Sequence, residues 1–124
     1  MMKNFEVGKR LKNVLESDSQ VVKYLKNKIF PIVANEGTNF PFLVYKRLSY
    51  TPESTKDYTS ETVQIEMTII SPSYEEGNKV ADIVATRLDK HRDDYFEKIE
   101  ISNINEDYSE DSFIFRLYLD IYIK

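Results

Sequence analysis

The stretch Phe113-Ile114-Phe115-Arg116-Leu117-Tyr118-Leu119-Asp120-Ile121-Tyr122-Ile123 places an apolar side chain at every odd position. A period of two marks a strand with one face on a core, whereas a helix would scatter these residues around its circumference. The odd positions are therefore expected inward, with Ile114, Arg116, Tyr118, Asp120 and Tyr122 on the opposite face. Two earlier runs alternate in the same way. Glu61–Ile70 sends Val63, Ile65, Met67 and Ile69 to the core, and Thr62, Gln64, Glu66 and Thr68 away from it. Phe42–Thr51, introduced by Pro41, sets Phe42, Val44, Lys46, Leu48 and Tyr50 on one side and Leu43, Tyr45, Arg47 and Ser49 on the other. Phe40, Phe42, Phe113 and Phe115 read as core aromatics.

Between the second and third of these runs the period changes. From about Tyr74 to Lys90, Tyr74, Gly77, Val80, Ala81, Ile83, Val84 and Leu88 form one apolar stripe of a helix. Ser73 stands as its N-cap, with Glu76 three residues on in the capping-box position. Small Gly77, Ala81 and Ala85 allow the helix to lie close to a sheet. At the amino end, Phe5, Gly8, Leu11, Val14 and Leu15 predict a first helix. After a stop at Ser17-Asp18-Ser19, a short second one has Val21, Val22 and Leu25 inward. Ile29-Phe30-Pro31-Ile32-Val33 contains a proline, which confines it to an edge strand or an extended link. Lys98–Asn105 is a weaker strand whose alternation slips before Ile104. Thr51–Ser60 has no aliphatic residue and reads as a mobile loop or hairpin tip. The order is α-α-β-β-β-α-β-β in one domain, 1–124. It implies an α+β fold, a mainly antiparallel sheet with helices packed on one face. Ile65, Met67, Val84, Leu117 and Leu119 are expected at its centre.

Composition narrows the function. The chain has 124 residues, 41% hydrophobic and 31% charged, which suits one core and not a disordered chain. Its net charge of −4 argues against direct nucleic-acid specificity. Residues 1–50 carry nine Lys/Arg against four Asp/Glu, whereas residues 89–112 carry three against nine. Two solvated surfaces account for this, and so does head-to-tail docking of one copy on the next. There is no cysteine, hence no disulfide and no thiolate chemistry. No signal-peptide core and no membrane-length apolar run is present, so a soluble protein made in a cytoplasm is expected.

No catalytic, cofactor or metal constellation emerges. His91 is the single histidine and reads as a solvated residue at a helix C-terminus. The carboxylate pairs Glu75-Glu76, Asp93-Asp94, Glu106-Asp107 and Glu110-Asp111 lie in polar stretches, without the buried cleft that acid–base work needs. Three isolated glycines build no phosphate loop. The nine tyrosines are more informative. Tyr45, Tyr118 and Tyr122 fall opposite the apolar faces of their strands, and with Arg47 they make a candidate contact face, since Tyr and Arg are enriched at interfaces. Cover by the amino-terminal helices is the competing reading of that face. Asp93 and Asp94 are the candidates on the acidic side.

Three stretches together resemble the tail-completion family of tailed phages and prophages. They are Val7–Leu15 with Val21–Leu25 and Ile29-Phe30-Pro31; then Phe40-Pro41-Phe42-Leu43-Val44-Tyr45; then Tyr74–Val84 with the closing strand Phe115–Ile121. The resemblance covers nearly the whole chain and rests on patterns of residue type. It implies a structural protein of the virion tail or neck, a ring-forming subunit that is hexameric by family resemblance. Its partners would be further copies of itself, the tail tube and the connector proteins. A small-molecule-binding regulatory module on a ferredoxin-like sheet is the alternative, and a small hydrolase is a third. Self-association separates the first from the second.

Overall fold

A computed structural model describes residues 3–54 and 59–124. A 3₁₀ turn, Lys3–Glu6, leads into α1 (Val7–Glu16) and α2 (Ser19–Leu25). Strands β1 (Ile29–Pro31), β2 (Phe42–Ser54) and β3 (Thr59–Ser71) follow, then α3 (Tyr74–Leu88), β4 (Phe96–Ser109) and β5 (Ser112–Ile123). The five strands form one sheet in the order β1-β2-β3-β5-β4. Only the β1–β2 pair is parallel. This is the α+β fold and element order that the two periodicities imply.

The helices share one face of the sheet. Val63, Ile65, Met67 and Ile69 of β3 and Phe115, Leu117, Leu119, Ile121 and Ile123 of β5 are buried beneath Leu11, Leu15, Val21, Leu25, Val80, Val84 and Leu88. Gly77 sets the approach of α3: a Cβ there would run into the Phe115 ring and reach 3.1 Å from Ser71 Cβ. Gly8 does the same for α1, since a Cβ there would lie 2.6 Å from Tyr45 Cε2. The caps satisfy backbone N–H groups left over at helix starts. Asp18 accepts from Gln20 N (2.8 Å) and Val21 N (3.3 Å), and Ser73 Oγ accepts from Glu76 N (3.3 Å).

Several expectations need correction. The stripe of α1 is Val7, Leu11, Val14 and Leu15, whereas Phe5 belongs to the preceding turn and is 66% exposed. Val22 faces solvent. The first hairpin is longer than its pattern, because β2 runs on to Ser54 and β3 begins at Thr59. The mobile loop expected over 51–60 thus gives up its ends to strand, and its centre, 55–58, lies outside the described residues. β4 reaches 14 residues, with register shifts between Phe96 and Lys98 and between Ile101 and Asn103. The second shift is the slip in the Ile99, Ile101, Ile104 alternation.

β2 carries the correction that matters most. A register shift between Arg47 and Ser49 reverses its phase, so Tyr50 pairs with Val63 and packs against the core while Phe42 points the other way. Before the shift, Leu43, Tyr45 and Arg47 pair with Ile69, Met67 and Ile65, all on the helix side. Phe42 and Val44 therefore lie on the uncovered face, and Phe40 is 47% exposed in the loop before it. Of the four phenylalanines assigned to the core, Phe115 is buried and Phe113 packs at the margin.

Candidate functional site

Among the described residues no helix covers the second face of the sheet. The amino-terminal helices pack on the other side, so they do not hide Tyr118 and Tyr122. These two residues pair with Glu66 and Thr62 of β3 and share the open face with Arg116 and Asp120. The middle of that face is polar and internally bonded. Ser49 Oγ donates to Gln64 Oε1 (3.1 Å), and Gln64 Nε2 donates to Asp120 Oδ1 (3.1 Å).

Tyr45 and Arg47 do not join them. Tyr45 lies against Gly8 under α1, and burial pushes its phenol above the usual pKa. Arg47 Nη1 donates to the main-chain oxygen (3.1 Å) and Oδ1 (3.0 Å) of Asn4, and its guanidinium lies 4.9 Å from the centre of the Phe5 ring. Arg47 fastens the amino-terminal turn to β2, and Tyr45 seats α1 on it. Four residues expected on one surface are thus divided between two.

Asp93 and Asp94 also separate in role. Asp93 Oδ1 accepts from Tyr95 N and Phe96 N, each at 2.8 Å, and Oδ2 lies 2.8 Å from His91 Nε2. Burial alone would raise its pKa, but the bonds from Phe96, His91 and Tyr95 outweigh that effect and hold it below the ordinary value. Asp93 organises the turn into β4. Asp94 is exposed beside Lys3, Arg10 and Lys124. Tyr95 completes this junction: its hydroxyl donates to Lys3 O, and Arg10 stacks 5.0 Å from its ring centre. The basic amino terminus therefore meets the beginning of the acidic stretch inside one molecule.

His91 is half-buried, with Nδ1 3.1 Å from Arg87 Nη1 and its ring edge-on to Phe96. It braces the end of α3 rather than standing in solvent. Among the described residues no cluster of three or more His, Cys, Asp or Glu is placed to hold a metal ion. Among the same residues no helix is long and apolar enough to cross a membrane.

The feature missed by sequence reasoning is a groove of about 540 Å³ at the β1–β2 margin of the open face. Phe42, Val44 and Ile70 form its floor, residues 32–40 form its wall, and Lys46 and Glu66 stand at its polar side. Ile32 and Val33 project from the wall, 68% and 71% exposed. Ile32 has φ +67°, in the left-handed region that β-branched residues rarely occupy. Its N–H donates to Tyr45 O (2.8 Å), and Val33 N donates to Pro31 O (2.6 Å), closing a three-residue turn around it. The signal was present as an Ile-Val pair after Pro31, but an apolar run reads first as strand.

The family model for the tail completion protein gp17 matches residues 9–123. No curated protein matches the chain. Among solved structures, a chain of the virion of a native gene transfer agent particle is similar, with a TM-score of 0.78. The match covers 91% of this chain and 90% of that one at 10% identity, so the likeness is one of fold.

Proposed function

The chain belongs to the tail completion protein gp17 family, a family of phage tail structural proteins, and from that membership we propose that it is a ring-forming subunit at the tail end or the head–tail junction. The family match over 9–123 carries this reading, because it spans both helical and strand layers rather than one motif. Two features of the molecule support it. Among the described residues the sheet has a face without helices, and it ends in two margins without a strand partner, β1–β2 and β4, that differ in charge. A unit with unlike margins is suited to heterologous contacts, which close into a ring when the rotation allows. The role is structural, not catalytic, and its partners are further copies of this chain, the tail tube and the connector. Tyr118 and Tyr122 remain the aromatic candidates for contact on the open face.

Mass measured against concentration, at low and high salt and with tail tubes added, tests the proposal. The expected result is a closed oligomer, hexameric by the family resemblance, that forms or tightens on tubes and loosens with salt. The groove favours one competing reading, a small-molecule-binding regulatory module. A protein that stays monomeric throughout and ignores tubes, while a metabolite raises its melting temperature, would establish that alternative instead.

A further inference from the structure

We propose that the groove at the β1–β2 margin receives the β4 margin of a second copy, with Ile104 and Tyr108 of one protomer lodging against Ile32, Val33 and Phe40 of the next. The inference rests on the ring reading and gives it a specific seat.

The groove is unusual in what it leaves outside. A chain gains by withdrawing large aliphatic side chains from water. Here Ile32 and Val33 are held out on a turn whose central residue has a costly backbone conformation. Two backbone hydrogen bonds, Ile32 N to Tyr45 O and Val33 N to Pro31 O, fix them there. Phe40 stacks on Phe42, ring centres 5.4 Å apart, and extends the same apolar surface.

The opposite margin offers the complement. Among the described residues β4 pairs only with β5, which leaves its outer edge without a strand partner there. From Ser102 onward β4 is exposed, and Ile104 and Tyr108 are each 55% exposed. Both lie on the helix side of the sheet, paired with Leu117 and Phe113, and the Tyr108 ring packs 4.8 Å from that of Phe113.

Charge selects the pairing. Residues 101–112 contain Glu106, Asp107, Glu110 and Asp111 and no basic residue. At the groove, Lys46 stands on the lining, and Lys28 Nζ donates to Asn39 O (3.2 Å) at the base of the wall. Lys23 and Lys26 precede them in α2 and at its C-cap, and residues 19–30 contain no acidic residue. Glu66, also on the lining, is 3.9 Å from Lys46. An acidic edge carrying two apolar side chains thus meets an apolar groove with basic shoulders.

The sheet also places the two margins level. Phe30 pairs with Val44, Val44 with Thr68, Thr68 with Arg116 and Arg116 with Asn105, so one row runs from the groove to the exposed half of β4. Because Ile104 and Tyr108 pair with Leu117 and Phe113 on the helix side while the groove opens on the other face, the contact overlaps the margins of two copies and does not continue their rows.

The absence of cysteine makes disulfide mapping clean. Val33→Cys and Tyr108→Cys proteins, each checked by melting temperature for an intact fold, are mixed under conditions where mass shows the oligomer and then mildly oxidised. A crosslink between the two variants is expected, with its yield falling as salt rises. Neither variant alone should crosslink to itself, nor should Val33→Cys mixed with Tyr118→Cys. An oligomer that forms normally but links Val33→Cys to Tyr118→Cys, or to a tail-tube protein fitted with a cysteine-reactive probe, overturns this seat and leaves the ring standing. A protein that never associates, alone or on tubes, overturns both.

Discussion

Asp93 shows how much one carboxylate does at a turn. It caps the main chain at Tyr95 and Phe96 and holds His91, so the ionised form is bonded in the folded protein and solvated in the unfolded one. A folded-state pKa below the unfolded value adds stability above the unfolded pKa, and that stability is lost as pH falls through the folded pKa. Asp93→Asn should therefore lower the melting temperature near neutral pH and lose less than the parent below about pH 4, where free carboxyls protonate. Parallel acid limbs in thermal melts of the two proteins would count against this account. Asp93 is 38% exposed, so solvent screening keeps the effect modest. A charge reversal at Asp93 also removes the turn cap and cannot report on charge alone.

Among the elements, β4 differs most from its neighbours. β3 and β5 are central strands bonded on both sides, while β4 is bonded on one side and exposed over its second half. Amide exchange follows local opening, and edge segments with few buried contacts open at lower cost. In the monomer, residues 103–109 should exchange well before Ile65–Ile69 and Phe115–Ile121. On assembly the protection of 103–109 should rise, because the proposed seat covers that edge. Exchange in 103–109 that is unchanged between monomer and oligomer would remove β4 from the contact. The register shift near Ile101 belongs to the same logic, since a bulge twists an edge and discourages indiscriminate pairing.

For the whole molecule, the charge layout is local rather than a simple split between halves. Lys3 and Arg10 lie beside Asp94, so the first acidic residues are neighbours of the basic amino terminus within one subunit. The separation that is useful for assembly lies between the β1–β2 margin and residues 106–111 of the β4 margin. Glu110→Lys should weaken association at low salt by about fivefold, the equivalent of roughly 1 kcal/mol for one rim pair. The difference should disappear near 1 M salt, where the screening length falls to about 3 Å. Asp94→Lys should leave association unchanged. Sedimentation measurements on both variants across a salt series distinguish the two margins, and equal effects would mean that neither is the docking side.

The sequence by itself determined the layers of this protein. The alternation of Phe113–Ile123 and Glu61–Ile70 each has one apolar and one mixed face, so burial leaves a single choice of which side goes inward. The α3 stripe, with Gly77 at its contact, settles the helix in the same way. The tail-completion resemblance was also legible, because it rests on patterns of residue type that the family model covers over 9–123. Only the tertiary structure decided the candidate surface. In β2 both faces are partly apolar, Phe42 and Val44 on one and Leu43 and Tyr45 on the other, so the period of two leaves the choice open. Pairing of Tyr45 with Met67 resolved it and carried Arg47 to the helix side, while the shift after Arg47 returned Tyr50 to the core. The groove was hidden for a related reason. Hydrophobicity says that Ile32, Val33 and Phe40 want to be covered, and only the folded chain shows that nothing among its described residues covers them.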